Sequence, residues 1–351
     1  MMIVMQPEAT EDQIHEIVSR VGLAGARPHV STGDLFTLIG VIGERPELDR
    51  LGDLTREPGV DRVVPLTTPY KLASRQLAHD RESTLEIAGR RIGGGAFATI
   101  AGPCTVESRE QTLEAADVML EAGVQFFRGG AYKPRSSPYS FQGLGQEGLE
   151  ILQEAKERTG LPIVTELLDV RDVEAVCEVA DVIQVGARNM QNYPLLAEIG
   201  RSGVATLIKR GLAATLDELL MAAEYVLAEG NPNVILCERG IRTFENATRF
   251  TLDIAAIPVL KERTHLPVVV DPSHAAGRRE LVLPLSMAAA AAGADGIIVE
   301  TTPTPETALC DGPQQLHASG FGDYLRQVEA AAALAGRVPA PVAAAPVATA
   351  A

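Results

Sequence analysis

The feature that most constrains this chain is an eightfold alternation of short β-rich runs and helical segments from Phe97 to about Leu334. The runs read FATIAGPC, QFFRGGAY, LPIVTELL, DVIQVGA, VATLIKRG, VILCERG, LPVVVDPSH and GIIVETT. Segments with helical spacing separate them, among them SREQTLEAADVMLEAG, QEGLEILQEAKERTG, TLDELLMAAEYVLAEG and RRELVLPLSMAAAAAGA. Eight β/α units in about 240 residues predict an α/β fold, a (β/α)8 TIM barrel spanning residues 97–336. A doubly wound open sheet is the competing architecture. The unit count favours the barrel. So does the placement of polar residues, because each run begins apolar and ends in a charged or special residue.

Residues 1–70 read as a separate small unit. MIVM is a short strand, and TEDQIHEIVSRVGLAG carries Ile14, Ile17, Val18 and Val21 at helical spacing behind Thr10, a suitable N-cap. HVSTGDLFTLIGVIG reads as a hairpin turning at Thr32-Gly33-Asp34, PELDRLGDLTREPGV as a second helix and DRVVPL as a further strand. The order β-α-β-β-α-β predicts a ferredoxin-like (ACT-like) α+β domain. Residues 71–96 form a polar connector followed by a hairpin, TLEIAGRRIGGGAF, suited to covering one end of the barrel. The Ala/Pro-rich tail, 337–351, has too few large side chains to pack and is expected to be disordered.

Composition narrows the function classes. A hydrophobic fraction of 46% in 351 residues supplies a large core. The formal charge of −15 argues against non-specific nucleic-acid binding, though not against a local basic pocket. No apolar run is long enough to span a membrane, and no signal peptide is expected from the opening MMIVMQPEATEDQ. Cys104, Cys177, Cys237 and Cys310 lie far apart and read as reduced thiols of a cytoplasmic protein.

The ends of the eight runs hold two chemical subsets. Cys104, His274, Glu300 and Asp311 combine thiolate, imidazole and carboxylate, which suits one divalent metal such as Mn²⁺, Fe²⁺, Co²⁺ or Zn²⁺. No CxxC or HExxH spacing supports this set; strand-end position does. Arg128, Lys133, Arg135, Arg188, Lys209 and Arg239 are cations that would repel one another without an anionic ligand. The alternative for individual members is a structural ion pair with Glu166 or Glu238. Residues 128–137, RGGAYKPRSS, are densest, with glycines for close approach, Pro134 for stiffness, and a Ser136 hydroxyl beside Arg135. This segment reads as a phosphate-binding loop.

These motifs together resemble the type I-beta 3-deoxy-arabino-heptulosonate 7-phosphate (DAHP) synthases. The matching segments are AGPCTVES (101–108), RGGAYKPRSSPYSFQG (128–143), QVGARNMQN (184–192), LIKRG (207–211), CERG (237–240), VDPSHAAGRRE (270–280) and VETTPTPETALCDGPQQL (299–316), with PYKLASR (69–75) like the family's interdomain segment. The likeness covers nearly the whole chain except the tail. It implies condensation of phosphoenolpyruvate with erythrose 4-phosphate, releasing phosphate, at the first step of the shikimate pathway. It also implies Cys104, His274, Glu300 and Asp311 as metal ligands, with Cys104, His274 and Lys133 as catalytic residues. Arg128, Lys133, Arg188, Lys209 and Arg239 correspond to phosphoenolpyruvate contacts, and Arg135 and Ser136 to the erythrose 4-phosphate phosphate site. Lys133 would serve as a proton donor or carrier. A homotetramer and feedback inhibition by an aromatic amino acid acting through residues 1–70 are further expectations from the family.

Three other readings compete. The 3-deoxy-manno-octulosonate 8-phosphate synthases share the barrel, but typically carry KANRSS where this chain has KPRSS and lack the N-terminal unit. A Schiff-base aldolase would use Lys209 as its nucleophile. A non-catalytic amino-acid sensor would have no use for the strand-end residues.

Overall fold

The computed structural model describes residues 1–32, 37–64, 68–76, 78, 82–135 and 137–340. The chain divides into two compact units, 1–81 and 82–351.

In the first unit, β1 (Met2–Met5), α1 (Glu11–Leu23), β2 (Arg27–Thr32), β3 (Thr37–Ile42), α2 (Arg45–Arg50) and β4 (Val60–Val64) follow in turn. The strands form an antiparallel sheet in the order β2-β3-β1-β4, the ferredoxin-like arrangement. Thr10 caps α1 as expected. Its hydroxyl accepts from Gln13 N–H, and the Gln13 side chain accepts from Thr10 N–H at 2.9 Å. Ile17 and Val21 are buried against Ile3, Met5, Ile39 and Val41, with Ile14 and Val18 partly buried beside them.

One expectation here needs amendment. The second helix stops at Arg50, and Leu54–Arg56 forms a separate 3-10 turn. Gly52 takes a left-handed φ of +67°, and the Asp53 side chain accepts from Thr55 N–H, a local turn that competes with helix. The β2–β3 pairing runs out to Thr32↔Thr37, but Gly33 and Asp34 of the expected turn lie outside the described residues, as do Pro65 and Leu66.

The second unit opens with a hairpin, β5 (Thr84–Ile87) and β6 (Arg90–Gly93). Eight parallel strands follow: β7 (Ala96–Gly102), β8 (Phe126–Arg128), β9 (Ile163–Glu166), β10 (Val182–Val185), β11 (Ala205–Lys209), β12 (Val234–Glu238), β13 (Val268–Val270) and β14 (Gly296–Thr302). Each pairs with the next, and β14 pairs back onto β7 from Gly296↔Ala98 to Glu300↔Gly102. That last ladder closes the barrel and excludes the open sheet. The surrounding helices are α3 (Arg109–Glu121), α4 (Gln146–Thr159), α5 (Val173–Val179), α6 (Tyr193–Ser202), α7 (Leu216–Ala228), α8 (Ala256–Arg263), α9 (Pro272–Ala276), α10 (Arg279–Ala291) and α11 (Phe321–Leu334). Ser108 caps α3, and Thr215 forms a capping box with Glu218 on α7. Among the described residues, no helix is long and apolar enough to cross a membrane.

The barrel interior changes character from bottom to top. Ala98, Ile100, Phe126, Val164, Val182, Leu207, Ile235, Val269 and Ile298 form one buried cluster with Leu85, Ile87 and Ile92 of the hairpin. The hairpin therefore plugs the end where the strands begin. Residues two apart on a strand share a face. The same inward row therefore continues upward to Arg128, Glu166, Gln184, Lys209, Arg239, Asp271 and Glu300 at the strand ends. Pleat alone puts oil at the bottom and charge at the mouth.

Two short strands complete the unit. β15 (Leu316–His317) pairs in parallel with Thr301 and Thr302 of β14, and β16 (Val338–Pro339) pairs with Ala96 and Phe97. Residues 337–340, expected to belong to the tail, are instead part of the second unit. Arg337 pairs with Glu82 at 2.9 Å and with buried Asp295 at 3.1 Å, which anchors the chain as far as Ala340. Residues 341–351 lie outside the described residues.

The hairpin turn holds Ala88 at φ +46° and Gly89 at +75°, the geometry of a two-residue turn that favours Asn-Gly. An alanine in the left-handed region costs about 1 kcal/mol. Ala88→Asn should therefore stabilise the second unit by about that amount, read as a raised thermal unfolding midpoint.

Candidate active site at the barrel mouth

Strand ends and the loops after them bring Cys104, His274, Glu300 and Asp311 to one side of the mouth. A thiol and two carboxylates, from Cys104, Glu300 and Asp311, lie with one ligand atom each within 4.8 Å of one another. His274 Nε2 lies 3.3 Å from Glu300 Oε1 and 3.9 Å from Asp311 Oδ2. Asp311 Oδ2 is also 3.5 Å from Cys104 Sγ. The four residues come from the loop after β7, α9, β14 and the loop after β14, so only barrel closure makes them neighbours.

His274 is oriented from behind. Its Nδ1 lies 2.7 Å from Asp271 Oδ2, and Asp271 Oδ1 accepts from the His274 backbone N–H, capping α9. Burial pushes His274 down to about 4, although Asp271 and Glu300 pull the other way. The imidazole is therefore neutral at neutral pH, with Nδ1–H donating to Asp271 and the Nε2 lone pair facing the two carboxylates. Burial pushes the Cys104 thiol well above its usual value, and a hydrogen bond with Cys310 and the charge of Glu300 add to this. The neighbouring Cys310 thiol drops to about 6, mainly through its hydrogen bond with Cys104.

The cations are arranged around this group. Arg128 NH1 donates to Glu300 Oε1 at 2.9 Å, with both side chains almost wholly buried. Lys133 Nζ lies 2.8 Å from Cys104 Sγ and 3.3 Å from Asp311 Oδ2. Burial works against its ammonium, but Cys104, Glu300 and Asp311 outweigh that and raise its pKa. Lys209 Nζ lies 2.5 Å from Asp271 Oδ2. Arg135 NH1 contacts Cys310 Sγ at 2.7 Å. Ser136 lies outside the described residues.

Beside the acidic group is a cavity of about 280 Å³ whose wall includes Lys133, Arg135, Arg188, Lys209 and Arg239. Arg239 NH1 is buried without a hydrogen-bond partner, while its guanidinium sits 4.6 Å from the centroid of Phe250. Burial lowers the Arg239 pKa, Asp271 opposes this, and Arg249 and Arg188 add repulsion. A buried, unpaired donor among like charges is the signature of a site built for an anion. All five expected cations with a place on this wall reach it, while Arg128 stays behind in its pair with Glu300. Among the described residues, none of the six cations forms the structural ion pair with Glu166 or Glu238 that was the alternative; Glu238 has a different partner. That partner is Arg210, which faces away from the cavity and pairs with Glu238 and Asp253 at 2.9 Å each.

Three wall residues escaped the sequence reading, Arg249, Phe250 and Gln184, as did Gln314, which donates to Glu300 behind the wall. Gln184 donates to the Glu166 carboxylate at 2.9 Å, and both face the cavity. Period-two extrapolation along β10 from Val182 would have found Gln184. Arg249 and Phe250 lie in an irregular segment between β12 and α8, where no periodicity points anywhere.

The chemistry of the donor set fits a divalent cation. A lone pair and two carboxylate oxygens converge with a thiol. Lys133 and Arg128 offset part of this negative charge from one side.

Comparison with known proteins agrees with this geometry. A model described as the DAHP synthetase I family matches residues 76–334, and one described as the DAHP synthase ferredoxin-like domain matches residues 1–68. A phospho-2-dehydro-3-deoxyheptonate aldolase of Thermotoga maritima is 47% identical over 331 residues, covering 94% of this chain and 97% of that protein. The crystal structure of a Thermotoga maritima DAHP synthase superposes with a TM-score of 0.75 at 45% identity, covering 96% of this chain and 98% of that one. A 2-dehydro-3-deoxyphosphooctonate aldolase of Syntrophotalea carbinolica is 35% identical, over 70% of this chain and 95% of that protein. Both proteins are matched over nearly their whole length, but the Thermotoga protein covers 94% of this chain and the Syntrophotalea protein 70%. On the strength of a family match across most of its length, the chain belongs to the DAHP synthetase I family.

Proposed function

We propose that this enzyme condenses phosphoenolpyruvate with erythrose 4-phosphate to give 3-deoxy-arabino-heptulosonate 7-phosphate and phosphate, the first step of the shikimate pathway. The observation that carries this reading is the pairing of a thiol–imidazole–carboxylate cluster with an adjoining cationic cavity. One part suits a carbonyl oxygen, the other a substrate with phosphate and carboxylate groups.

Cys104, His274, Glu300 and Asp311 would hold the metal. When bound there, it supplies Lewis acidity towards a carbonyl oxygen. Everything else falls to side chains. Arg188, Lys209 and Arg239 would grip phosphoenolpyruvate, with the unpaired Arg239 NH1 donating to it. Arg128, locked to Glu300, would link the two halves of the site. Arg135 and Ser136 would take the phosphate of the aldose. Holding both substrates in one cavity converts an encounter of two anions into an intramolecular reaction. Lys133 Nζ, protonated and within reach of both halves, would be the proton carrier.

The octulosonate alternative is less well supported. Pro134 in KPRSS and the ferredoxin-like unit both point to the heptulosonate enzyme. Lys209 as a Schiff-base nucleophile is also disfavoured, because its ammonium is tied to buried Asp271. Phosphate release should therefore be seen with erythrose 4-phosphate and be at least tenfold slower with arabinose 5-phosphate. It should be abolished by EDTA and restored by Mn²⁺; activity untouched by chelator would sink the metal-dependent reading.

The pH dependence follows from the thiol. Cys104 is raised and His274 lowered, so over the neutral range the proton competing with metal sits on sulfur. Metal affinity should keep rising with pH between about 6 and 8, with release of about one proton per ion bound. Calorimetry in buffers of different ionisation enthalpy measures that proton directly.

The first unit would serve regulation, binding an aromatic amino acid that inhibits the enzyme. A truncated Thermotoga maritima DAHP synthase, which covers 76% of this chain, has been solved, so deletion of residues 1–70 is a practical test. The shortened enzyme should remain active and lose sensitivity to Tyr and Phe. Unchanged sensitivity would refute the assignment.

A further inference from the structure

Each carboxylate of the acidic cluster has two oxygens, and they are used differently. Asp311 Oδ2 faces Lys133 Nζ at 3.3 Å, Cys104 Sγ at 3.5 Å and His274 Nε2 at 3.9 Å. Its other oxygen, Oδ1, lies 3.4 Å from Arg249 NH1. Glu300 Oε1 faces Arg128 and His274, while Oε2 accepts from Gln314 Nε2 at 2.6 Å. Gln314 Oε1 in turn accepts from the same Arg249 NH1 at 3.0 Å.

One guanidinium nitrogen thus occupies the outer oxygen of Asp311 directly and that of Glu300 through an amide. The relay is directional. A side-chain amide can be turned either way, but a cation on Oε1 forces Nε2 towards Glu300. Gln314 is 2% exposed, so water cannot easily substitute. Arg249 is itself held. Its stem passes over Gly277, where an added Cβ would lie 2.6 Å from Arg249 Cβ, and its guanidinium lies 5.9 Å from the Phe250 ring centroid. Asp311 has a left-handed backbone, φ +50°, a conformation that aspartate adopts more readily than most residues.

We propose that Arg249 is a positioning residue: acting on Asp311 and, through Gln314, on Glu300, it turns one oxygen of each towards Cys104 and His274 and pre-sets the cluster for a divalent cation. This rests on the reading of that cluster as a metal site. Partners of this kind typically change metal affinity 10- to 100-fold.

The test uses the full chain, stripped of metal and without substrates, titrated with Co²⁺ against a competing chelator. The thiolate-to-Co²⁺ charge-transfer band reports the cluster directly. Arg249→Met keeps the stem over Gly277 and removes the donors; Gln314→Met breaks only the relay. Both should weaken Co²⁺ binding about 10- to 100-fold, while the metal-free unfolding midpoint stays near wild type. Arg249→Lys should recover part of the loss. If Arg249→Met misfolds, Gln314→Met carries the same test. Wild-type Co²⁺ affinity in both Met variants overturns the proposal. A rise in KM alone would then make Arg249 a substrate contact. Failure of the wild-type chain to bind Co²⁺ is a separate result, because it overturns the metal-site reading itself.

Discussion

An imidazole lone pair faces one oxygen of each of two carboxylates across less than 4 Å, and a buried thiol lies within 4.8 Å of both carboxylates. Such atoms repel unless positive charge stands between or beside them, and the remainder of the barrel mouth is arranged around that demand. Arg128 and Lys133 answer it from one side. Asp271 answers it differently, by taking the His274 Nδ1–H so that the opposite nitrogen must present a lone pair. Charged groups in these positions are tolerable only because each has partners. A buried ion pair such as Arg128–Glu300 adds little net stability, but loss of one member costs about 3–5 kcal/mol.

The demand is met by barrel architecture. Eight strands closed by the β14–β7 ladder aim their last inward residues at one small volume. The hairpin at the other end removes the competing requirement for a polar exit there, since Leu85, Ile87 and Ile92 complete an apolar floor. The cations of the wall lie at strand ends, in loops and, for Arg188, in a short 3-10 turn.

Much of this was legible from residue order. Runs that start apolar and end charged, such as VATLIKRG and GIIVETT, are visible without coordinates, and they mark Lys209 and Glu300. The motif around Lys133 announces itself by its density of cations and glycines. What stayed hidden follows a common rule. Arg249 and Gln314 sit in irregular chain, where no repeat marks a direction, and Gln184 carries no charge to draw notice. The second helix of the first unit was over-extended because its apolar spacing continues past Gly52, while backbone geometry there does not. Arg337 looked like the start of a featureless tail; its significance lies in Asp295, 42 positions earlier, which needs a counter-ion.

By itself the sequence determined what each strand end could contribute: donor type, charge, and which face of the strand bears it. Those are local properties, set by covalent chemistry and by pleat. It could not determine which oxygen of Glu300 or Asp311 faces the thiol, which nitrogen of His274 is free, or that Arg210 turns away while Arg239 turns in. These are decided by hydrogen bonds and ion pairs between residues far apart in the chain, and they exist only once the barrel has closed.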